Sequence, residues 1–125
     1  MISIIDDDAS VRAAVENLLS SLGYLAYSFG SAEEFLQSER LHDTECVIAD
    51  INMPVVNGFE LLVRFRELGK GVPFIFITAF PDEAISEKIL SAEATWLLTK
   101  PFEKDSLIQK LESALLHAQN GGSGD

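Results

Sequence analysis

Val47-Ile48-Ala49-Asp50-Ile51-Asn52-Met53-Pro54 is an apolar run that stops on an acidic residue and turns at once, with Asn57-Gly58 following. The run has the length and β-branched content of a buried strand. Asp50 then stands at the strand's end, which the sequence alone places in the open. Taken singly, an aspartate there passes as a turn residue held by backbone amides. What surrounds it in the fold decides between punctuation and chemistry.

Working outward, the same unit recurs. Ile2 to Ile5 is a short apolar strand ending in Asp6-Asp7-Asp8, and Val11, Val15, Leu18, Leu19 and Leu22 follow at helical spacing up to Gly23. Tyr24 to Phe29 reads as a second strand, and Ser31-Ala32-Glu33-Glu34 has capping-box spacing for a short helix carrying Phe35 and Leu36. Residues 37–44 are polar and read as a surface connection. After the central strand, Gly58 to Leu68 forms a helix with Leu61, Leu62, Phe65 and Leu68 inward, ended by Gly69 and Gly71. Pro73 opens a fourth strand, Phe74 to Ile77, which stops at Thr78. Pro81 lies near the start of a fourth helix with Ile85 and Ile89 inward. Thr95 to Leu98 is the fifth strand, followed by Thr99-Lys100-Pro101-Phe102 and a helix from about Glu103 to His117 with Leu107, Ile108, Leu111 and Leu115 on its apolar side. Residues 119–125 have flexible-linker composition and are read as a linker or appended tail, leaving 1–118 as the domain.

Alternating strands and helices with near-continuous apolar strands predict a single doubly wound α/β domain, a parallel sheet with helices on both faces. The length of 125 residues suits one such domain. With 20 acidic against 9 basic residues the net charge is −11, which repels nucleic acid and anionic membranes. No apolar stretch has membrane-spanning length and no signal peptide is legible. Cys46 is the single cysteine, which excludes an internal disulfide or thiolate metal cluster and predicts a buried, inert thiol. These features fit a cytoplasmic protein.

In open parallel sheets the functional crevice lies beyond the carboxyl ends of the strands. Asp6 and Asp7 stand at the first such end, Asp50 at the third, Thr78 at the fourth and Lys100 at the fifth. A sheet would accept Ser, Asn or Gly there as readily. Crowded carboxylates repel one another, and a hard cation such as Mg²⁺ relieves them. A cation and a lysine together neutralise an incoming phosphoryl group, and a hydroxyl can bond one of its oxygens. A carboxylate can itself act as nucleophile. Asp6 and Asp7 then hold the metal and Asp50, centrally placed, is the acceptor. Asp8, directly before the first helix, caps it.

The motifs Ile4-Ile5-Asp6-Asp7-Asp8, Ala49-Asp50-Ile51-Asn52-Met53-Pro54, Asn57-Gly58, Ile77-Thr78-Ala79 and Lys100-Pro101-Phe102 resemble, in order, the receiver (CheY-like) domain of two-component response regulators. The resemblance covers residues 1 to about 118. It implies a (βα)5 flavodoxin-like fold with strand order 2-1-3-4-5. It implies Asp50 as phosphoacceptor, with Asp6, Asp7, Asp50 and the Asn52 backbone carbonyl around Mg²⁺. Lys100 would pair with the phosphoryl group, and the Lys100-Pro101 bond would be cis. The phosphoryl donor would be a histidine kinase or phosphotransfer protein. The domain would catalyse only its own phosphorylation and hydrolysis. Thr78 would then swing toward the phosphoryl oxygens and remodel the surface of the fourth helix, fifth strand and fifth helix, where a homodimer can form. Within the family the chain resembles receivers of the FixJ/NarL type, which precede a helix-turn-helix domain, so control of transcription is the implied output.

The sequence departs from the family pattern beside the switch. The usual aromatic lies three residues before the lysine, where this chain has Leu97, with Trp96 next door; Trp96 either covers the fifth strand or takes over signalling at a shifted position. Glu93-Ala94 replaces the usual glycine-alanine pair. In the family, the positions of Asn52 and Phe80 flank the phosphoryl group and influence its hydrolysis, so a ring at Phe80 either shields it from water or packs away from the site without effect. Two other functions compete with a transcriptional switch. One is a stand-alone adaptor or phosphate sink. The other is a Mg²⁺-dependent phosphatase using Asp50 as nucleophile, against which stands Asn52, where such enzymes carry a second aspartate.

Overall fold

The computed structural model describes residues 1–69, 71–80 and 82–119. The expectations for Pro81 and for residues 120–125 of the tail lie outside the described residues, while Gln119, assigned to the tail, is the last residue of the final helix. Five strands and five α-helices alternate: β1 (Ile2–Ile5), α1 (Ala9–Ser21), β2 (Ala26–Phe29), α2 (Ala32–Leu36), β3 (Cys46–Asp50), α3 (Gly58–Glu67), β4 (Phe74–Thr78), α4 (Glu83–Ser91), β5 (Thr95–Thr99) and α5 (Lys104–Gln119). All strand pairs are parallel and the sheet order is β2-β1-β3-β4-β5. Both match the expectation.

Although the strands are apolar throughout, their side chains alternate between two cores, because successive Cβ atoms leave opposite faces of a sheet. Ile5, Val47, Ala49, Phe74, Phe76 and Leu97 join α2, α3 and α4 on one face. Ile4, Ile48, Ile75, Ile77, Trp96 and Leu98 join α1 and α5 on the other. The first core is built around rings: Phe29, Phe35, Phe65, Phe74 and Phe76 form a chain with successive centroids 5.4–5.7 Å apart. On the second face α5 seats Leu107, Leu111 and Ala114 fully, while Ile108 and Leu115 are only half-buried. Ala114 was not picked out from the sequence because a single methyl gives a weak periodic signal.

Local chemistry sets the helix boundaries. Asp8 accepts hydrogen bonds from the Ser10 and Val11 amides (2.8 and 3.4 Å) as N-cap of α1. Ser31, Asn57 and Asp82 do the same for α2, α3 and α4. Gly23 and Gly69 leave α1 and α3 at φ +89° and +82°, a region glycine enters without penalty. Cys46 is a free, buried thiol, as expected, and burial pushes its pKa up to about 12.

Two expectations need correction. The segment 37–44 is no plain surface connection: Glu39–Asp43 forms a 3₁₀ helix capped by Ser38, with Leu41 buried beneath it. Thr44 closes the segment by bonding both Ser3 Oγ and the Arg40 carbonyl at 2.8 Å. One apolar residue among polar ones is too sparse a pattern to register as a helix. The second strand starts at Ala26 rather than Tyr24, because the chain leaving Gly23 still hydrogen-bonds back to α1, Tyr24 N–H to the Leu19 carbonyl at 3.0 Å.

The turn after β3 is the tightest place in the fold. Gly58 N–H donates to the Ile51 carbonyl at 3.0 Å. A Cβ on Gly58 would sit 2.7 Å from the Asp50 carbonyl oxygen and 2.8 Å from Ile51 Cα, both backbone atoms. Glycine is required here for close approach, not for φ. The same turn holds Val55 at φ +68°, a strained conformation for a β-branched residue. Gly58→Ala is therefore expected to destabilise the domain by about 1–3 kcal/mol, the usual cost of overpacking. Urea unfolding read by circular dichroism checks this, and a variant as stable as the parent would contradict it.

Candidate functional site

The site forms where β1, β3, β4 and β5 end on one edge of the sheet. Asp6 follows β1, Asp50 closes β3, Thr78 closes β4 and Lys100 follows β5. Asp6, Asp50 and Thr78 are 1%, 6% and 1% exposed. Asp50 is thus far more enclosed than an exposed strand end. Lys100 reaches from the end of β5 past β4 to both carboxylates, its Nζ 3.1 Å from Asp6 Oδ2 and 3.3 Å from Asp50 Oδ2. Backbone geometry aims the lysine: its N–H donates to the Thr78 carbonyl at 2.7 Å, and the Lys100-Pro101 bond is cis, as the resemblance implied.

Each carboxylate has one oxygen on the lysine and the other on a backbone amide. Asp6 Oδ1 accepts from Asp8 N–H at 2.9 Å, and Asp50 Oδ1 from Asn52 N–H at 2.9 Å. Burial pushes the Asp50 carboxyl above its ordinary value, and the charge of Asp6 adds to the rise; the Asn52 amide and Lys100 oppose it. Burial works to lower the Lys100 ammonium, but its bonds to Asp6 and Asp50 and their charges outweigh burial and hold it above its ordinary value. One lysine therefore serves as shared counter-charge for two buried carboxylates, and the pair remains incompletely neutralised.

Asp7 completes an acidic group. Asp6, Asp7 and Asp50 each offer a carboxylate oxygen, all within 4.8 Å of one another, with Asp7 exposed. Hard oxygen donors in this number suit a divalent cation such as Mg²⁺ or Ca²⁺, and the remaining negative charge favours one. The donor set fits a metal ion.

Thr78 and Asn52 meet directly: the Thr78 hydroxyl donates to Asn52 Oδ1 at 2.7 Å and accepts from Phe80 N–H at 3.0 Å. The ring of Phe80 is 75% exposed. The two candidate switch residues on β5 diverge, Leu97 packing toward α3 and α4, Trp96 toward α5, where its ring meets His117 edge-on at 5.9 Å. Two contacts were not anticipated. Arg12 donates to the Asp6 carbonyl at 2.7 Å and braces the loop after β1. Its signal was available, since Arg12 is the only basic residue of α1. The bond from Thr78 to the Asn52 side chain is the other, since the sequence pointed to Asn52 as a metal ligand through its carbonyl and as a neighbour of the phosphoryl group but not as a partner of Thr78.

A carboxyl whose proton is held more tightly in the folded state subtracts stability as pH rises from its unfolded value, about 3.9, through its folded value. Above both, the whole cost is present. Asp50→Asn removes it, so in metal-free buffer the variant is expected to melt above the parent at pH 7, with the gap closing as pH falls through the raised folded value toward about 4. Thermal melts across pH test this; a gap independent of pH would contradict it.

Comparison with known proteins agrees with this geometry. Residues 2–112 match the model of the response regulator receiver domain. The response regulator protein TodT of Pseudomonas putida is 34% identical over 115 residues, covering 92% of this chain and 51% of TodT. The transcriptional regulatory protein FixJ of Bradyrhizobium diazoefficiens is 34% identical over 118 residues, covering 94% of this chain and 58% of FixJ. The chain thus spans about half the length of the curated relatives it matches. The solved structure of FixJ-N superposes with a TM-score of 0.80 at 30% identity over 93% of each chain. A buried aspartate at the end of β3, its lysine and its acidic neighbours thus stand on the fold of a signalling module, and the chain belongs to the response regulator receiver domain family.

Proposed function

We propose that this domain is a phosphorylation-dependent switch that accepts a phosphoryl group on Asp50 in a Mg²⁺-dependent reaction. The observation that carries the reading is Lys100 Nζ bridging Asp6 and Asp50 with Asp7 alongside. A buried carboxylate held between a cation and a metal-ligand set is suited to attack at phosphorus. Asp6, Asp7, Asp50 and the Asn52 backbone carbonyl would hold the ion, which when bound neutralises charge on the incoming group.

In the reaction, one Asp50 carboxylate oxygen bonds to phosphorus as the phosphoramidate P–N bond of a partner histidine breaks. The bonding pair passes to the imidazole nitrogen. Lys100 pairs with the transferred oxygens, and the Thr78 hydroxyl donates to one of them. Hydrolysis reverses the state: water attacks phosphorus, the P–O bond to Asp50 breaks and the carboxylate returns. The domain acts catalytically only on itself.

Family membership supports a reading of donor and output. A histidine kinase or phosphotransfer protein supplies the group, in the cytoplasm. Among the described residues no helix is long and apolar enough to cross a membrane. The output is control of transcription through a further domain, in keeping with longer relatives such as FixJ, a transcriptional regulatory protein of which this chain covers 58%. The domain itself makes no nucleic-acid contact, given its net charge of −11. Added charge at Asp50 biases the α4-β5-α5 surface through Thr78, Leu97 and Trp96 and promotes a homodimer there. Leu90 and Leu116, both 57% exposed, supply apolar area on α4 and α5.

Incubation with acetyl phosphate and Mg²⁺, read by intact mass, is expected to add one phosphoryl group to the parent and none to Asp50→Ala. An adduct on the variant would place the chemistry elsewhere. The exposed Phe80 ring beside Thr78 stands where water would enter. Phe80→Ala is therefore expected to shorten the lifetime of the phosphorylated form, and an unchanged lifetime would remove the ring from the hydrolytic step.

A further inference from the structure

A threonine hydroxyl has one proton to donate. In Thr78 that proton is committed: the hydroxyl donates to Asn52 Oδ1 at 2.7 Å while its lone pair accepts from Phe80 N–H at 3.0 Å. Phosphoryl oxygens are acceptors only. Thr78 can serve them only by withdrawing its proton from Asn52. With Asn52 in place Thr78 is 1% exposed, so in this arrangement the amide oxygen and not water takes the hydroxyl's proton.

From this competition we infer that the Asn52 side chain is a positioning residue, a latch that holds the Thr78 hydroxyl in the unphosphorylated arrangement. The inference rests on the phosphoacceptor reading of Asp50 and assigns to Asn52 a role distinct from its backbone carbonyl. Several features make the latch specific. Asn52 N–H is tied to Asp50 Oδ1 at 2.9 Å, so the residue that restrains Thr78 is itself anchored to the acceptor. Strand register places Asp50 beside Ile77, one residue before Thr78, and Ile51 N–H donates to the Ile77 carbonyl at 3.0 Å. The two loops are therefore fixed to one another by backbone, and the side-chain bond is the part free to break. Asn52 is exposed, and its side chain can turn away once released.

The energetic consequence is a tax on the switched state, equal to the net worth of one neutral hydrogen bond and hence about 3- to 10-fold in an equilibrium constant. Asn52→Ala lifts it. The test is titration with beryllofluoride in saturating Mg²⁺, followed by NMR, on four proteins: the parent, Asn52→Ala, Thr78→Val and the double variant. Asn52→Ala is expected to bind about 3- to 10-fold more tightly than the parent, and the gain is expected to vanish in the Thr78→Val background. Thr78→Ala serves in place of Thr78→Val if the latter unfolds. Unchanged or weaker binding by Asn52→Ala overturns the latch. So does an equal gain without the hydroxyl, which would mean that Asn52 acts on the phosphoryl analogue directly. If the parent itself forms no adduct, the phosphoacceptor reading fails first; if it does and Asn52→Ala is neutral, only the latch fails.

Discussion

Two carboxylates buried side by side cost free energy that the sheet alone cannot recover. Asp6 and Asp50 stand at the ends of neighbouring strands, β1 and β3, nearly closed to solvent. Lys100 relieves them only in part, since Asp50 still sits above its ordinary value. The arrangement persists because backbone geometry holds it. Asp8 and Asn52 amides fix one oxygen of each carboxylate, Arg12 grips the Asp6 carbonyl, and the Gly58 turn leaves no space for a side chain behind Asp50. The residual charge makes the site attractive to a cation, and the enclosure makes it responsive to added charge.

The fold was legible because its signals are coarse and repeated. Apolar runs closing on polar residues mark each strand, and their alternation with helical patterns sets a parallel sheet. The positions of Asp6, Asp50, Thr78 and Lys100 followed from the rule that function gathers at the carboxyl edge, and the structure brings all four together. Where single residues carry the information, the reading fell short. Leu41 is one apolar side chain in a polar stretch, yet it is buried and organises a 3₁₀ helix. Ala114 seats α5 with a single methyl. The cationic partner of Asp50 is Lys100, fifty residues away in the chain, which local pattern cannot supply. Hydrogen bonds between side chains, such as Thr78 to Asn52, depend on rotamers that no periodicity encodes.

The departures from the family pattern sort themselves by sheet face. Leu97 occupies the face of α3 and α4, and being aliphatic and only half-buried it fills that space without a polar handle. Displacing the ring by one residue sends it through the sheet to the other core, since side chains alternate along a strand. Thr78 and Trp96 are therefore not parts of one contiguous contact. Any coupling from Asp50 to Trp96 has to pass through β4 and β5 themselves or around α5.

That placement bears on how the domain can be watched. Trp96 is the only tryptophan in the chain, and its indole lies against α5 with His117 at its edge. Its emission is a gauge of how the final turns of α5 are seated, on the far side of the sheet from Phe76 and Gly58. The protein thus carries a built-in optical probe at the point where α5 ends, distant from the chemistry. A change in that signal on loading Asp50 would register transmission across the sheet rather than occupancy of the site.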